Sequence, residues 1–99
     1  MLIATNAAGH VWAYNANDGS TLWQQSNLFG RYLTAPAMLA GSVAVGDAEG
    51  YLHFLSQRDG RFVARLLADK KGIIAAPVAS DNLLFVYGNS GILIAYRVG

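Results

Sequence analysis

The feature that most constrains this chain is a turn followed by an apolar strand, which recurs at an interval of 41 residues. The central copy runs from Gly46 to Leu55, with the turn Asp47-Ala48-Glu49-Gly50 before the strand. Matching turns end in Gly9 and Gly91, each followed by another run of aromatic and β-branched residues. Two further pairs keep the same spacing, namely Asp18-Gly19 with Asp59-Gly60 and Ala35-Pro36 with Ala76-Pro77. These matches indicate that the chain is built of repeats. The length of the repeat decides the fold, so it takes precedence over the assignment of any single element.

A repeat of this length predicts a β-propeller, because blades of four strands recur every 40–45 residues or so. The apolar residues come in short runs cut by Gly, Asn or Asp, with no stripe of helical period. We therefore predict an all-β fold, a β-propeller fragment of about two and a half four-stranded antiparallel blades within one partial propeller over residues 1–99. Residues 1–25 form an incomplete blade, residues 33–67 a complete blade, and residues 73–98 an incomplete last blade with strands at 73–78, 82–87 and 92–98.

Incomplete end blades predict association. A blade buries its faces against two neighbours, and a ring of blades leaves no ends. Two and a half blades would instead expose apolar faces and unpaired strand edges, which promotes contact with other molecules. Self-association of the chain is therefore expected.

The composition excludes several classes of protein. Apolar residues make up 54% and charged residues 13% of the chain, so it is no disordered segment. There is no apolar run of the length that spans a bilayer, and the first residues do not resemble a secretory signal, so an export signal is expected only upstream. The absence of cysteine excludes disulfides and thiolate ligands, and a net charge of +1 gives no case for nucleic acid.

Few polar side chains suggest a site, and we predict no catalytic, cofactor-binding or metal-binding residue. His10 and His53 are interpreted as hydrogen-bonded residues on strand surfaces rather than metal ligands, which would need further partners. Asp47 and Glu49 could pair as acid and base, but the interpretation we prefer is a solvated turn tip. The one basic region is expected to be a solvated rim, and it consists of Arg58, Arg61, Arg65, Lys70 and Lys71.

The connection between the first two blades is unusually apolar and is the candidate for partner contact. Leu28, Phe29 and Tyr32 either cover the end of a blade or meet a partner. The residues expected to carry the structural repeat are Gly9, Gly19, Trp23, Gly50, Gly60 and Gly91.

Residues 13–23 resemble the repeat of quinoprotein-type propellers, A-x-D-x-x-T-G-x-x-x-W. Ala13, Gly19 and Trp23 match this pattern, whereas Asn15 and Asp18 replace its Asp and Thr. A closer resemblance covers residues 23–98, which look like the C-terminal part of the BamB family of propeller lipoproteins. The motifs that carry it are Gly-Asp-Ala-Glu-Gly-Tyr-Leu-His at 46–53 and Asp-Gly-Arg-Phe-Val-Ala at 59–64.

This resemblance implies a non-enzymatic scaffold in the assembly and insertion of β-barrel proteins in the Gram-negative outer membrane. Its implied place is the periplasmic face of that membrane, with a lipid anchor in the full-length parent on a cysteine that this chain lacks. The implied partners are the periplasmic domains of BamA, whose main contacts lie upstream of this segment, and nascent outer-membrane proteins. Two alternatives stay open: a fragment of a quinone-dependent propeller dehydrogenase, and a repeat-assembly unit without a cellular role.

Overall fold

The chain folds into ten β-strands that form three antiparallel sheets in a computed structural model, which describes residues 1–98. The first sheet contains β1 to β3, the second β4 to β7, and the third β8 to β10, each strand pairing with its neighbour in sequence. No helix of the described residues is long and apolar enough to cross a membrane. The predicted all-β fold is confirmed. The strands are β1 (Leu2–Thr5), β2 (Val11–Tyr14), β3 (Thr21–Gln25), β4 (Ala37–Leu39), β5 (Ser42–Gly46), β6 (Tyr51–Ser56), β7 (Phe62–Leu67), β8 (Val78–Ser80), β9 (Leu83–Tyr87) and β10 (Leu93–Arg97).

The tight turns between strands repeat the same chemistry at the interval seen in the sequence. Asp18 accepts a hydrogen bond from the backbone N–H of Ser20 at 2.9 Å, and Asp59 accepts one from Arg61 at 3.0 Å. The glycine that follows each aspartate has a positive φ, +73° at Gly19 and +76° at Gly60. Because glycine takes this backbone conformation without a steric penalty, both turns close in the same way.

The second sheet forms the centre of the molecule because both of its faces are buried. On β5 the side chains of Val43 and Val45 pack with the first sheet, and Ala44 between them packs with the third. On β6, Leu52 and Phe54 likewise belong to the layer shared with the third sheet. This alternation follows from the two-residue period of a strand, and each fully buried aliphatic side chain contributes roughly 1.5–3 kcal/mol.

Two strands begin later than the sequence indicated. Of the strand predicted at 73–78, residues 73–77 lie outside any strand, since β8 covers only Val78–Ser80. In the blade predicted over residues 33–67, β4 starts only at Ala37. Each strand starts directly after a proline, which has no N–H for a sheet and restricts the residue before it. Ile73 serves a different purpose: its N–H donates to the carbonyl oxygen of Asp47 at 3.0 Å, and its side chain packs in the core.

Two of the repeat glycines lie where one sheet meets the connection to the next. A Cβ atom on Gly9 would overlap the carbonyl of Leu28, and one on Gly50 would overlap the carbonyl of Asp69. For Gly91, at the equivalent place in the third sheet, the nearest atom among residues 1–98 to such a Cβ, chain neighbours aside, is the hydroxyl oxygen of Tyr87 at 4.0 Å. The first two glycines therefore permit a close approach to the following connection, and Gly91 has the same backbone shape without that neighbour.

Trp23 forms the second kind of contact between sheets. Its ring covers Gly60 so closely that a Cβ there would overlap it, and its indole N–H donates to the carbonyl oxygen of Gln57 at 2.8 Å. Gln25 adds a bond from its amide to the carbonyl oxygen of Gly60 at 3.0 Å. A Cβ atom on Gly19, which corresponds to Gly60 one repeat earlier, would meet no atom of the described residues within 4 Å beyond its chain neighbours. The first sheet thus presents the same glycine turn without an aromatic ring on it.

Candidate functional site

The connection between β3 and β4 is held by both sheets that it joins. The N–H of Gly30 donates to Ala8 at 2.7 Å, and the carbonyl oxygen of Arg31 accepts from Ala48 at 3.1 Å. Further along, Thr34 bonds Gly46 twice, through its N–H at 2.9 Å and its hydroxyl at 3.0 Å. These bonds fix the backbone on either side of Arg31, so its side chain starts from a defined position.

The three residues of this connection predicted to cover a blade or meet a partner have different environments. Leu28 is only 3% exposed and packs in the core layer with Val11 and Trp23, so its side chain covers the end of a blade. Phe29 and Tyr32 are 72% and 67% exposed. The ring of Phe29 lies 5.9 Å from that of His10. Partner contact therefore stays a prediction for Phe29 and Tyr32, and the position of Leu28 matches the structural alternative.

Asp47 is completely buried, which corrects the interpretation of a solvated turn tip. Its Oδ1 accepts hydrogen bonds from the N–H groups of Glu49 and Tyr51, both at 3.0 Å. Its Oδ2 lies 3.1 Å from Nη1 of Arg31 and 2.7 Å from Nε2 of His53. Glu49 is exposed and reaches Arg31 at 3.6 Å. The local backbone bonds expected of Asp47 are present, but the carboxylate faces into the molecule because side chains from two other elements meet it there.

His53 is also buried, with 1% exposure, so its interpretation as a surface residue of a strand was wrong. It lies on β6 opposite Arg65 of β7, and the ring of Phe62 meets it edge-on with centroids 6.3 Å apart. His10 instead precedes β2 and lies 3.4 Å from the amide of Asn6. Residues 1–98 contain no group of three or more His, Cys, Asp or Glu side chains that could hold a metal ion.

The protonation states of the buried pair follow from its surroundings. Burial favours the neutral form of Asp47, but bonds from His53, Tyr51 and Arg31 outweigh it and hold the pKa of this carboxyl below 3.8. Burial lowers the pKa of His53 below 6.5, with Arg31 and Arg65 acting in the same direction and Asp47 opposing them. An ionised carboxylate can only accept, so Nε2 of the neutral imidazole carries the proton and Nδ1 does not.

An open cavity of about 230 Å³ lies beside this pair, between the connection and strands β6 and β7 of the second sheet. Two guanidinium groups border it and also flank the ring of Tyr51: Cζ of Arg65 lies 4.6 Å and Cζ of Arg31 5.8 Å from the ring centroid. Arg58 and Arg61 are exposed, as expected of a rim. The complete lining comprises Asn27, Leu28, Arg31, His53, Phe62 and Arg65.

The sequence interpretation missed this cavity and its buried pair. One signal was available in the sequence. His53 is a polar residue within the strand from Tyr51 to Leu55, whose neighbouring residues are apolar on both faces. The repeat offered no help, because Trp12 and Ile94 occupy the positions 41 residues before and after His53. Nothing in the spacing placed Arg31 beside Asp47.

Comparison with known proteins identifies the family. A family model described as "Outer membrane protein assembly factor BamB" matches residues 7–98. BamB of Pseudomonas aeruginosa is 40% identical over 97 residues, which are 98% of this chain and 26% of that protein. BamB of Yersinia pestis is 43% identical over 98 residues, covering 90% of this chain and 25% of that protein. The chain thus spans about a quarter of the length of these curated relatives.

Solved structures agree with the predicted propeller. The crystal structure of BamB from Moraxella catarrhalis superposes with a TM-score of 0.87 at 28% identity, over 96% of this chain and 28% of that one. The computationally designed Ika4 protein matches with a TM-score of 0.82 at 17% identity, covering 98% of this chain and 59% of that one, and shows the fold alone. The resemblance indicated by the motifs is confirmed: the chain belongs to the family of the outer membrane protein assembly factor BamB.

Proposed function

We propose that this chain is part of a non-enzymatic scaffold that binds other proteins during the assembly and insertion of β-barrel proteins in the bacterial outer membrane. The observation that carries the proposal is the match of residues 7–98 to a family described as an outer membrane protein assembly factor. The relatives are about four times as long as this chain, so the role belongs to a larger propeller to which these sheets contribute.

The proposed partners are the periplasmic domains of BamA and nascent outer-membrane proteins, met at the periplasmic face of the outer membrane by a lipid-anchored parent. In this chain Phe29 and Tyr32 support such a role. Both are large, mostly exposed and carried on a backbone that is bonded to two sheets. Exposed aromatic residues on a rigid frame are typical of the residues that dominate binding at protein interfaces.

Strand addition is a second proposed binding mode. Within the described residues β10 pairs only with β9, so its other edge is free to bond an extended segment. An open, mainly apolar cavity of about 280 Å³ lies near this edge, lined by Phe54, Leu66, Tyr96 and Val98 among others. Ala64 also lines it, at the position that corresponds to Trp23 one repeat earlier. A partner strand could therefore bury apolar side chains there while its backbone extends the sheet.

A chimera tests the proposed function. Residues 7–98 would replace the homologous segment of the Pseudomonas aeruginosa relative, in a strain that lacks its own copy. We expect normal amounts of outer-membrane β-barrel proteins and recovery of BamA with the chimera. Changing Phe29→Ser and Tyr32→Ser together should reduce BamA recovery without abolishing it, because the main BamA contacts are expected upstream of this segment. Val63→Ser, which alters a similarly exposed apolar residue of β7, should not reduce it.

Two results would contradict the proposal. A stably folded chimera that leaves β-barrel levels as low as in the deletion strain would exclude the assembly role for this segment. Saturable uptake of a quinone together with Ca²⁺, followed by absorbance, would exclude the non-enzymatic part and favour the dehydrogenase alternative.

A further inference from the structure

We propose that the cavity between Arg31 and Arg65 binds the carboxylate side chain of an Asp or Glu in an extended segment of a protein partner, with a neighbouring N–H or O–H of that segment donating to Nδ1 of His53. This site goes beyond the proposed function, because it defines a recognition chemistry that can be measured on the chain alone. Three independent features of the cavity support it.

The first feature is a pair of oriented guanidinium groups. Arg31 and Arg65 both lie over the ring of Tyr51, at 5.8 Å and 4.6 Å. Stacking on an aromatic ring limits the freedom of a guanidinium group, so less entropy is lost when it binds a ligand. Arg65 has no carboxylate within 4.0 Å in the part of the chain that the structure describes. A planar guanidinium with unused donors is well suited to a carboxylate, which it can bind through two parallel bonds.

The second feature is an unused acceptor on a buried ring. Nε2 of His53 is bonded to Asp47, and no described residue bonds Nδ1. The described residues contain no enclosed side-chain nitrogen or oxygen without a partner, and the ring of His53 lines the cavity. We therefore assign Nδ1 to the cavity side of the ring. Because Asp47 fixes the proton on Nε2, Nδ1 presents a lone pair, and a ligand completes the site if it brings a donor next to its carboxylate.

The third feature is the shape and lining of the cavity. At about 230 Å³ it has room for one amino-acid side chain with its adjoining backbone. Leu28 and Phe62 supply apolar walls for the methylene groups of such a side chain. A few polar groups among apolar walls, as here, are usual for binding sites that fix the orientation of their ligand.

Glu49 gives the proposal a distinctive consequence. Its carboxylate reaches Arg31 at 3.6 Å from an exposed position, so it competes with an incoming carboxylate for that guanidinium. The carboxylate of Asp47 is buried and accepts four hydrogen bonds, so an incoming carboxylate does not displace it. Removing the charge of Glu49 should then strengthen binding, an effect that a purely structural role of these arginines does not predict.

The test uses the 99-residue chain and a blocked peptide, N-acetyl-Ala-Glu-Ala-amide, titrated at low ionic strength and followed by NMR of the His53 ring and the Arg65 side chain. We expect saturable shifts of both signals. Arg65→Ala should weaken binding by at least about tenfold, and Arg65→Lys should weaken it less, because charge is kept and the paired bonds are lost. Glu49→Gln should tighten binding by about two- to threefold. Arg58→Ala, which removes the same charge from an exposed turn, should leave binding unchanged.

Several outcomes would overturn the inference. They are equal shifts with N-acetyl-Ala-Gln-Ala-amide, an equal loss on Arg58→Ala, weaker binding on Glu49→Gln, and tighter binding of inorganic phosphate than of the glutamate peptide. Spectral dispersion of each variant shows that it is folded. Because this experiment contains no assembly machinery, its failure leaves the proposed assembly function intact, and failure of the chimera leaves peptide binding intact.

Discussion

At the scale of single residues, the Asp47–His53 pair shows how a carboxylate is kept ionised away from water. Removing an ionised group from water costs several kcal/mol, and each hydrogen bond to a charged group returns about 1.5–3 kcal/mol. Asp47 receives four such bonds, two from the backbone of its own turn and two from side chains. These four bonds stabilise the ionised carboxylate and add to the backbone bonds that close the turn.

We predict that this pair makes the chain less stable in mild acid. The pKa of His53 is lower in the folded chain than the ordinary value of about 6.5 expected after unfolding, chiefly because of burial. Below that value the unfolded chain binds the proton more readily than the folded chain does. The free energy of unfolding therefore decreases as the pH is lowered, by at most about 1.4 kcal/mol per pH unit, until His53 is protonated in the folded chain too. The depressed pKa of Asp47 adds a second loss below about 3.8.

Urea unfolding between pH 7.5 and 5 measures the first of these losses. His53→Gln keeps a donor for Asp47 but does not titrate, so the pH dependence should flatten. His10→Gln, which makes the same substitution directly before β2 of the first sheet, is the matched control. An unchanged slope in His53→Gln would show that another group is responsible.

The sequence-based predictions differ most from the structure in the burial of individual polar residues. The repeat predicted where the Asp47 turn and the strand carrying His53 lie, because turn residues and apolar runs are local features. It could not predict that both polar groups are buried. That depends on Arg31, which comes from a connection and reaches Asp47 only once two sheets are packed together. Buried polar pairs of this kind are set by tertiary contacts rather than by local pattern.

At the scale of the elements, equivalent glycine turns have the same backbone conformation but different contacts with neighbouring sheets. Gly60 and Gly19 have nearly the same φ, so both turns would be strained by a side chain to a similar extent. Only Gly60 lies under a tryptophan. The sequence singled out both glycines and Trp23, yet it could not tell which glycine is covered, because that depends on which sheets are neighbours.

We predict that Gly60→Ala destabilises the chain by about 2 kcal/mol more than Gly19→Ala. Both substitutions cost on the order of 1 kcal/mol for the left-handed backbone. Gly60→Ala also forces Trp23 away from its place and weakens its bond to Gln57, an overpacking cost of about 1–3 kcal/mol. Chemical unfolding of the two variants at equal protein concentration gives the difference directly. Equal losses would mean that Trp23 does not hold the sheets together.

At the scale of the whole molecule, the first and third sheets each have one buried face, and no other sheet of residues 1–98 packs on their opposite face. On the third sheet, Leu93 and Tyr87 lie opposite each other on adjacent strands and are both more than half exposed. On the first sheet, Leu2 and Leu22 are similarly exposed. Inside the molecule each junction joins two different faces of successive sheets. We therefore expect the outward face of the third sheet to pack on the outward face of the first sheet of another molecule. We do not expect it to pack on a second copy of itself.

We therefore predict that the 99-residue chain associates head to tail. A contact between two different surfaces extends without limit unless the rotation closes a ring, so the oligomers should grow with concentration. Leu93→Glu combined with Tyr87→Glu places two charges on one of these surfaces and should give a monomer in sedimentation velocity. Phe29→Glu combined with Tyr32→Glu adds the same charge to the loop between β3 and β4 and should leave the oligomers intact. Persistence of dimers in the first double variant would mean that the first-sheet faces pair with each other, and a chain that sediments as a monomer before any substitution would refute the association itself.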